Sequence, residues 1–221
     1  GDAGEGANEF EDYLGGVYAH NSSFQLYKNT FSGNAANASN IKNVVGVNDQ
    51  NYTTNPWPET TAIIGVAGGD NEFNNALKHI ETSNMHTYAN SNTFTDGVTS
   101  ISALYGRYKD YIIKNNTFNN VMKAIDINMA GNGNITIQNN DMPGIVYQPL
   151  TSSIITYGIR IAAATLVTGN AAHLTIKGNT ISGEGKYGIW LSNLDFGATR
   201  STHDTWEGVD SNYVEMNQTS G

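Results

Sequence analysis

A short phrase that begins with asparagine returns eight times along the chain. In seven copies a large apolar residue stands two places after the asparagine, and five of the 7 phenylalanines occupy that position. A repeat with a minimum near 21 residues and tolerated insertions predicts a solenoid, because each unit buries its apolar face only by stacking on its neighbours. The phrases start at Asn8, Asn29, Asn71, Asn92, Asn116, Asn140, Asn179 and Asn217.

The residues before each asparagine alternate between apolar and polar side chains, which is typical of a strand. We expect each asparagine to lie at a sharp corner in a left-handed backbone conformation, with its amide bonded to the amides of neighbouring repeats. The phenylalanines should stack inside. The residue three places before the asparagine is Leu26, Ile113, Ile137, Ile176 or Val214, and in weaker repeats Gly68 or Ala89.

A second strand follows each phenylalanine, with an inward residue seven places later. These inward residues are Val17, Ile80, Ile101 and Ile125, and in longer repeats the pattern matches Val45, Ile159 and Ile189. Because side chains alternate along a strand, the next residues form an outward column. That predicted column runs Tyr18, Gly46, Glu81, Ser102, Asp126, Arg160 and Trp190, with His79 and Ala124 among its outward neighbours.

This pattern resembles the right-handed parallel β-helix family, the fold of pectate lyases and of NosD-type repeats. The resemblance implies an all-β solenoid of about seven to eight coils with an asparagine ladder and a stacked phenylalanine core. It covers nearly the whole chain, so we expect a single domain over residues 1–221. An antiparallel sandwich with asparagine-rich turns is the alternative fold.

No amphipathic helix that would cover an end of the solenoid precedes the first repeat or follows the last. We therefore expect a segment of a longer solenoid, or chains that stack end to end, because uncovered terminal strands pair with other strands. A looser loop that covers its own end is the alternative.

Composition narrows the classes of partner. The formal net charge is −9, which argues against nucleic acid because phosphate binding needs a basic surface. The chain has no cysteine and only 14% charged residues, and no apolar run reaches the length of a membrane span. This composition suits a secreted or cell-surface bacterial protein.

Candidate chemistry lies on the outward column, where Glu81, Asp126 and Arg160 would face a groove framed by longer segments at 48–61, 142–157, 162–172 and 193–210. The resemblance to pectate lyases implies carboxylates that hold Ca²⁺ and an arginine that removes a proton. Two separated carboxylates also suit an inverting glycosidase. Aromatic side chains that would stack on sugars are Trp57, Tyr105, Tyr108, Tyr187 and Trp190.

Two functions follow from these observations. The first is a non-catalytic extracellular segment: an adhesin, a stalk or a carbohydrate-binding module without a metal or cofactor. The second is a polysaccharide lyase, dependent on Ca²⁺, or a glycoside hydrolase. The first is favoured because no clustered carboxylates and no second basic residue complete a lyase motif. His79, His86, His173 and His203 fall in different columns, so we expect no histidine metal site, and Lys78 and Lys123 are expected to be solvated turn residues.

Overall fold

A computed structural model of the chain describes residues 8–34, 40–49, 59–104, 109–129, 133–146, 155–163, 174–192, 209–210 and 212–216. The secondary-structure elements bounded within these ranges are all β-strands. The strands are β1 (Asn8–Glu11), β2 (Gly15–His20), β3 (Phe24–Leu26), β4 (Asn29–Ser32), β5 (Lys42–Val47), β6 (Thr61–Ile64), β7 (Glu72–Ser83), β8 (His86–Asn90), β9 (Thr93–Leu104), β10 (Tyr111–Lys114), β11 (Thr117–Met129), β12 (Ile135–Gln138), β13 (Asp141–Ile145), β14 (Tyr157–Ala163), β15 (Leu174–Lys177), β16 (Thr180–Gly183), β17 (Tyr187–Ser192), β18 (Val209–Asp210) and β19 (Tyr213–Met216).

The strands form two parallel sheets between which the chain alternates. The larger sheet has 12 strands, and its main path runs β1-β4-β7-β9-β11-β13-β16-β19. The smaller sheet has 7 strands in the order β18-β15-β12-β10-β8-β6-β3. Neighbouring strands in each sheet come from successive repeats, and their paired residues run parallel. The prediction of an all-β chain built from parallel strands is therefore confirmed.

Stacked asparagine amides hold one corner of every repeat. The amide nitrogen of each asparagine donates to the Oδ1 of the next over 2.8–3.0 Å, from Asn8 through Asn29, Asn71, Asn92, Asn116, Asn140 and Asn179 to Asn212. From Asn71 onward the same nitrogen also donates to a backbone carbonyl of an earlier strand. The predicted ladder is confirmed, and its buried members are hydrogen-bonded as buried amides require.

A column of aromatic rings runs beside the ladder. Phe10, Phe31, Phe73, Phe94 and Phe118 stack with ring centroids 4.6–5.1 Å apart and nearly parallel planes. All but Phe10 are fully buried. Met142 and Ile181 extend this buried column. The predicted inward phenylalanine core is thus confirmed.

The corners differ from the prediction in backbone conformation. The left-handed residue is the one before the ladder asparagine, as at Lys28, Ser91, Asn115, Asn139 and Gly178. The ladder asparagine is not itself left-handed, and its side chain bonds the asparagines of neighbouring repeats.

A second set of left-handed residues stands two places after the stacked aromatic residue, at Asp12, Asn75, Asp96 and Asn120. Here the chain bends without leaving the sheet, so β7, β9 and β11 each contain both strands that the sequence predicted as separate.

Three register predictions were wrong. The last ladder residue is Asn212, since Val214 pairs with Ile181 in the phenylalanine column; Asn217 lies outside the described residues. Ile64, not Gly68, is the equivalent of Leu26, because extra residues separate β6 from Asn71.

In the second repeat Val44 is the buried partner of Val17, and Val45 faces outward. Two adjacent valines left this register ambiguous in the sequence. Within the described ranges there is no helix long and apolar enough to cross a membrane.

Candidate functional site

The larger sheet presents one outward column that contains four of the eight predicted site residues: Glu81, Asp126, Arg160 and Trp190. Paired positions run Tyr18, Val45, Glu81, Ser102, Asp126, Arg160 and Trp190. Val45 replaces the predicted Gly46, and the other six positions are as predicted. Glu81 and Asp126 are two strands apart, which is about 10 Å at the backbone.

Glu81 is bound by two lysines rather than facing open solvent. Lys42 Nζ donates to Oε1 at 2.9 Å, and Lys78 Nζ contacts Oε2. Burial raises the pKa of Glu81, but the hydrogen bonds from the two lysines lower it by a larger amount. The net pKa is therefore below the usual value for a glutamate. The prediction of Lys78 as a solvated turn residue was wrong: it lies within β7 and neutralises this carboxylate.

Asp126 and Arg160 form a second ion pair on adjacent strands. Arg160 Nη1 donates to Asp126 Oδ1 at 2.7 Å, and both side chains are largely buried. Burial lowers the pKa of Arg160, but the hydrogen bond and charge of Asp126 raise it more, and the net pKa is above its usual value. A guanidinium held in this way gives up a proton less readily, so this geometry suits fixed charge better than base catalysis.

Next to this pair lies an aromatic cluster formed by Tyr157, Tyr187 and Trp190. The Trp190 ring is 5.2 Å from Tyr187 at a tilt of 43° and 6.0 Å from Tyr157 edge-on. Tyr157 is buried and Tyr187 is exposed, so the cluster is anchored on one side and open on the other. We call these three residues the aromatic cluster.

Each ring of the aromatic cluster carries a cation. Lys123 lies 5.5 Å from the Tyr157 centroid, Arg160 lies 5.2 Å from Trp190, and Lys186 lies 5.4 Å from Tyr187. Burial lowers the pKa of Lys123, which sits in β11 and packs on a ring instead of being the predicted solvated turn residue. Such cation–π contacts fix the lysine and arginine heads beside the rings.

Two glycines explain the local fold of this cluster. The sequence Tyr-Gly-Ile occurs in both β14 and β17, and the strands pair Tyr157 with Tyr187. A Cβ on Gly158 would stand 2.6 Å from Ile181, and one on Gly188 would stand 2.2 Å from Val214. The glycines therefore let the strands approach the core while the tyrosines face outward. This repeated phrase was the sequence signal for Tyr157, which our site prediction missed together with Lys42 and Lys186.

The described residues contain no group of three or more His, Asp or Glu side chains placed to hold a metal ion. Ser102 lies between Glu81 and Asp126 and is buried, and each carboxylate has its own cation. The two carboxylates are thus brought to one column but not together at one point.

Two histidines occupy environments that the sequence did not reveal. His79 is completely buried against Phe94 and Phe73 rather than facing outward, with Nδ1 3.2 Å from the Ser100 hydroxyl. Ala124 is buried as well, so both outward assignments were wrong. His86 lies near the start of the smaller sheet's β8, where its Nδ1 accepts from the backbone N–H of Asp110.

Several predicted residues lie outside the described part of the chain. They are the aromatic residues Trp57, Tyr105 and Tyr108, the histidines His173 and His203, and most of the segments expected to frame a groove. Comparison of the chain with protein-family models, with curated proteins and with solved structures gives no match.

Proposed function

We propose that this chain is a non-catalytic, carbohydrate-binding segment of a right-handed parallel β-helix that works outside the cell or at its surface. The β-helix is supported by the regular alternation of the chain between two parallel sheets and by an in-register asparagine ladder. A stiff stack of repeats suits a scaffold that displays a side-chain surface, as in an adhesin or stalk.

The aromatic cluster carries the proposal of carbohydrate binding. Aromatic rings pack against the C–H faces of sugars, while nearby charged groups bond the hydroxyls, and Tyr187 and Trp190 offer such rings beside Arg160. The partner is a polysaccharide or a cell-surface glycan.

Charge selects among glycans. Lys123, Arg160 and Lys186 surround the rings, against one carboxylate, Asp126. Among the described residues, these contacts give a local surplus of positive charge, which contrasts with the net charge of −9 and favours acidic sugars.

Binding without turnover is the function that the ion pairs favour. Glu81 and Asp126 each form an ion pair with basic side chains. Paired in this way, neither carboxylate is available to act as an acid or base or to bind a shared calcium ion. Lyase or hydrolase activity remains the alternative, and it would require Arg160 or one carboxylate to leave its partner when the sugar binds.

Affinity electrophoresis tests the proposal. Each gel contains one acidic polymer: polygalacturonate, alginate, hyaluronate or chondroitin sulfate. The wild type, Trp190→Ala and Tyr213→Ala are run through each gel. Tyr213→Ala is the control, because it removes an exposed tyrosine from another strand. We expect at least one polymer to slow the wild type and the control but not Trp190→Ala. No retardation by any polymer, or equal retardation of all three proteins, would contradict the proposal.

The same polymers test the absence of catalysis. Unsaturated products from a lyase absorb ultraviolet light, and a hydrolase releases reducing ends. We expect neither product, with or without Ca²⁺. Product formation that disappears in Arg160→Ala would establish the enzyme alternative instead.

A further inference from the structure

The outward column carries an exposed aromatic residue at its other end as well. Tyr18 in β2 is 69% exposed, among the most exposed large hydrophobic side chains in the described residues. Its ring lies beside that of His20, with centroids 6.3 Å apart and planes inclined by 25°. The exposed face of this ring is available to pack against the apolar face of a ligand.

A carboxylate is fixed next to these rings. Asp49 Oδ1 accepts from the Asn21 amide at 2.6 Å, and Asp49 Oδ2 is 2.8 Å from His20 Nε2. The Asp49 backbone N–H donates back to Asn21 Oδ1 at 3.0 Å. The hydrogen bonds from Asn21 and His20 also lower the pKa of Asp49, so the group stays ionised. The network holds Asp49 in one position before any ligand arrives.

The network leaves Asp49 and His20 with acceptor positions for a ligand. An ionised carboxylate has about four lone-pair sites, and the network uses one on each oxygen of Asp49. His20 directs Nε2 at Asp49, so in the neutral ring the proton lies on Nε2 and Nδ1 is an acceptor. Fixed acceptors beside an aromatic face match the hydroxyls and the C–H face of a sugar.

We propose that Tyr18, His20 and Asp49 form a second sugar-binding site, specific for neutral sugars. The ionised carboxylate of Asp49 repels uronate or sulfate groups. In this respect the site is the opposite of the aromatic cluster, where cations prevail. The proposal rests on glycan binding as the chain's role but assigns a different sugar class to a different place.

The two sites are too far apart to share one sugar. Tyr18 and Trp190 are separated by six strand-to-strand steps, which is roughly 29 Å at about 4.8 Å per step. Short oligosaccharides therefore occupy one site at a time, and substitution at one site leaves the other intact.

The test uses neutral polysaccharides in the gel: mannan, galactomannan and a soluble β-glucan, each run separately. We compare the wild type with Tyr18→Ala, Asp49→Ala, Trp190→Ala and the control Tyr213→Ala. Both substituted residues of the new site are exposed, so the fold should be kept, and circular dichroism checks this. We expect at least one neutral polymer to slow the wild type, Trp190→Ala and Tyr213→Ala. In Tyr18→Ala and Asp49→Ala the retardation should be at least about tenfold smaller, since central contacts often contribute that much affinity.

Retardation of Tyr18→Ala equal to that of the wild type would overturn the proposal, as would the absence of retardation by all three neutral polymers. Loss of neutral-sugar binding in Trp190→Ala but not in Tyr18→Ala would place neutral sugars at the aromatic cluster and also overturn it. Binding of acidic polymers is measured in parallel, and of these four variants we expect only Trp190→Ala to lose it. Failure of one site is therefore distinguishable from failure of the other.

Discussion

Removing one amide from the middle of the asparagine ladder tests the stacking of the repeats. The Asn116 amide nitrogen donates to Ala89 O and Asn140 Oδ1, both at 3.0 Å, and Asn116 Oδ1 accepts from Asn92 N at 2.9 Å and Asn92 Nδ2 at 3.0 Å. Asn116→Ala deletes all four bonds. The Asn140 oxygen keeps its bond from the backbone N–H of residue 116, and the Asn92 amide nitrogen keeps its bond to Ile64 O. Two buried groups, the Asn92 backbone N–H and the Ala89 carbonyl, therefore lose the bond that Asn116 supplied.

Each buried group left without a partner costs about 1–3 kcal/mol. Two such groups lower the free energy of unfolding by roughly 2–6 kcal/mol. That is a large share of the ~5–15 kcal/mol by which folded domains are stable.

Urea unfolding followed by circular dichroism measures this loss. The matched control is Asn119→Ala, which removes the same side chain from a partly exposed outward position of β11, the strand that follows Asn116. Surface changes of this kind usually stay within about 0.5 kcal/mol. If Asn116→Ala costs no more than Asn119→Ala, the ladder does not stabilise the stack as argued.

Three further predictions follow from single residues. Phe94→Ala opens a cavity in the ring column and should cost roughly 3–5 kcal/mol in urea unfolding; a cost under about 1 kcal/mol would show that the column is not tightly packed. Burial lowers the pKa of His79 from 6.5 to about 3, so between these values only the unfolded state binds the proton. The free energy of unfolding should therefore decrease by about 2 kcal/mol as the pH is lowered from 7 to 5. His79→Leu should flatten this part of the pH profile, and an unchanged slope would refute the assignment. Arg160→Ala removes the partner of the largely buried Asp126 carboxylate and should lower the unfolding free energy by roughly 1–3 kcal/mol, whereas a loss under about 0.5 kcal/mol would show that solvent replaces the ion pair.

The repeated part of the fold was predictable because its physics is local. A corner that stacks amides needs asparagine in every repeat, and a ring column needs an apolar residue two places on, so both left a regular signal. The prediction failed where a repeat breaks that spacing, as at Ile64, which extra residues separate from Asn71. It also failed at His79, because two consecutive residues of β7, His79 and Ile80, are both buried and so depart from strict alternation.

The outward surface was only partly predictable. Counting along strands placed Asp126 beside Arg160, since each is fixed relative to a clear inward isoleucine. The partners of Glu81 were not found, because Lys42 lies 39 residues away in the repeat whose register the adjacent valines obscured. Cations over rings depend on side-chain conformations that no spacing in the sequence encodes.

The most direct test of glycan binding at the aromatic cluster is fluorine NMR of protein labelled with 5-fluorotryptophan. The chain has 3 tryptophans, so three signals are expected, and the one missing in Trp190→Phe belongs to Trp190. Addition of the four acidic polysaccharides, one at a time, should shift or broaden the Trp190 signal with at least one of them. A Trp190 signal that stays unchanged with all four would contradict the account.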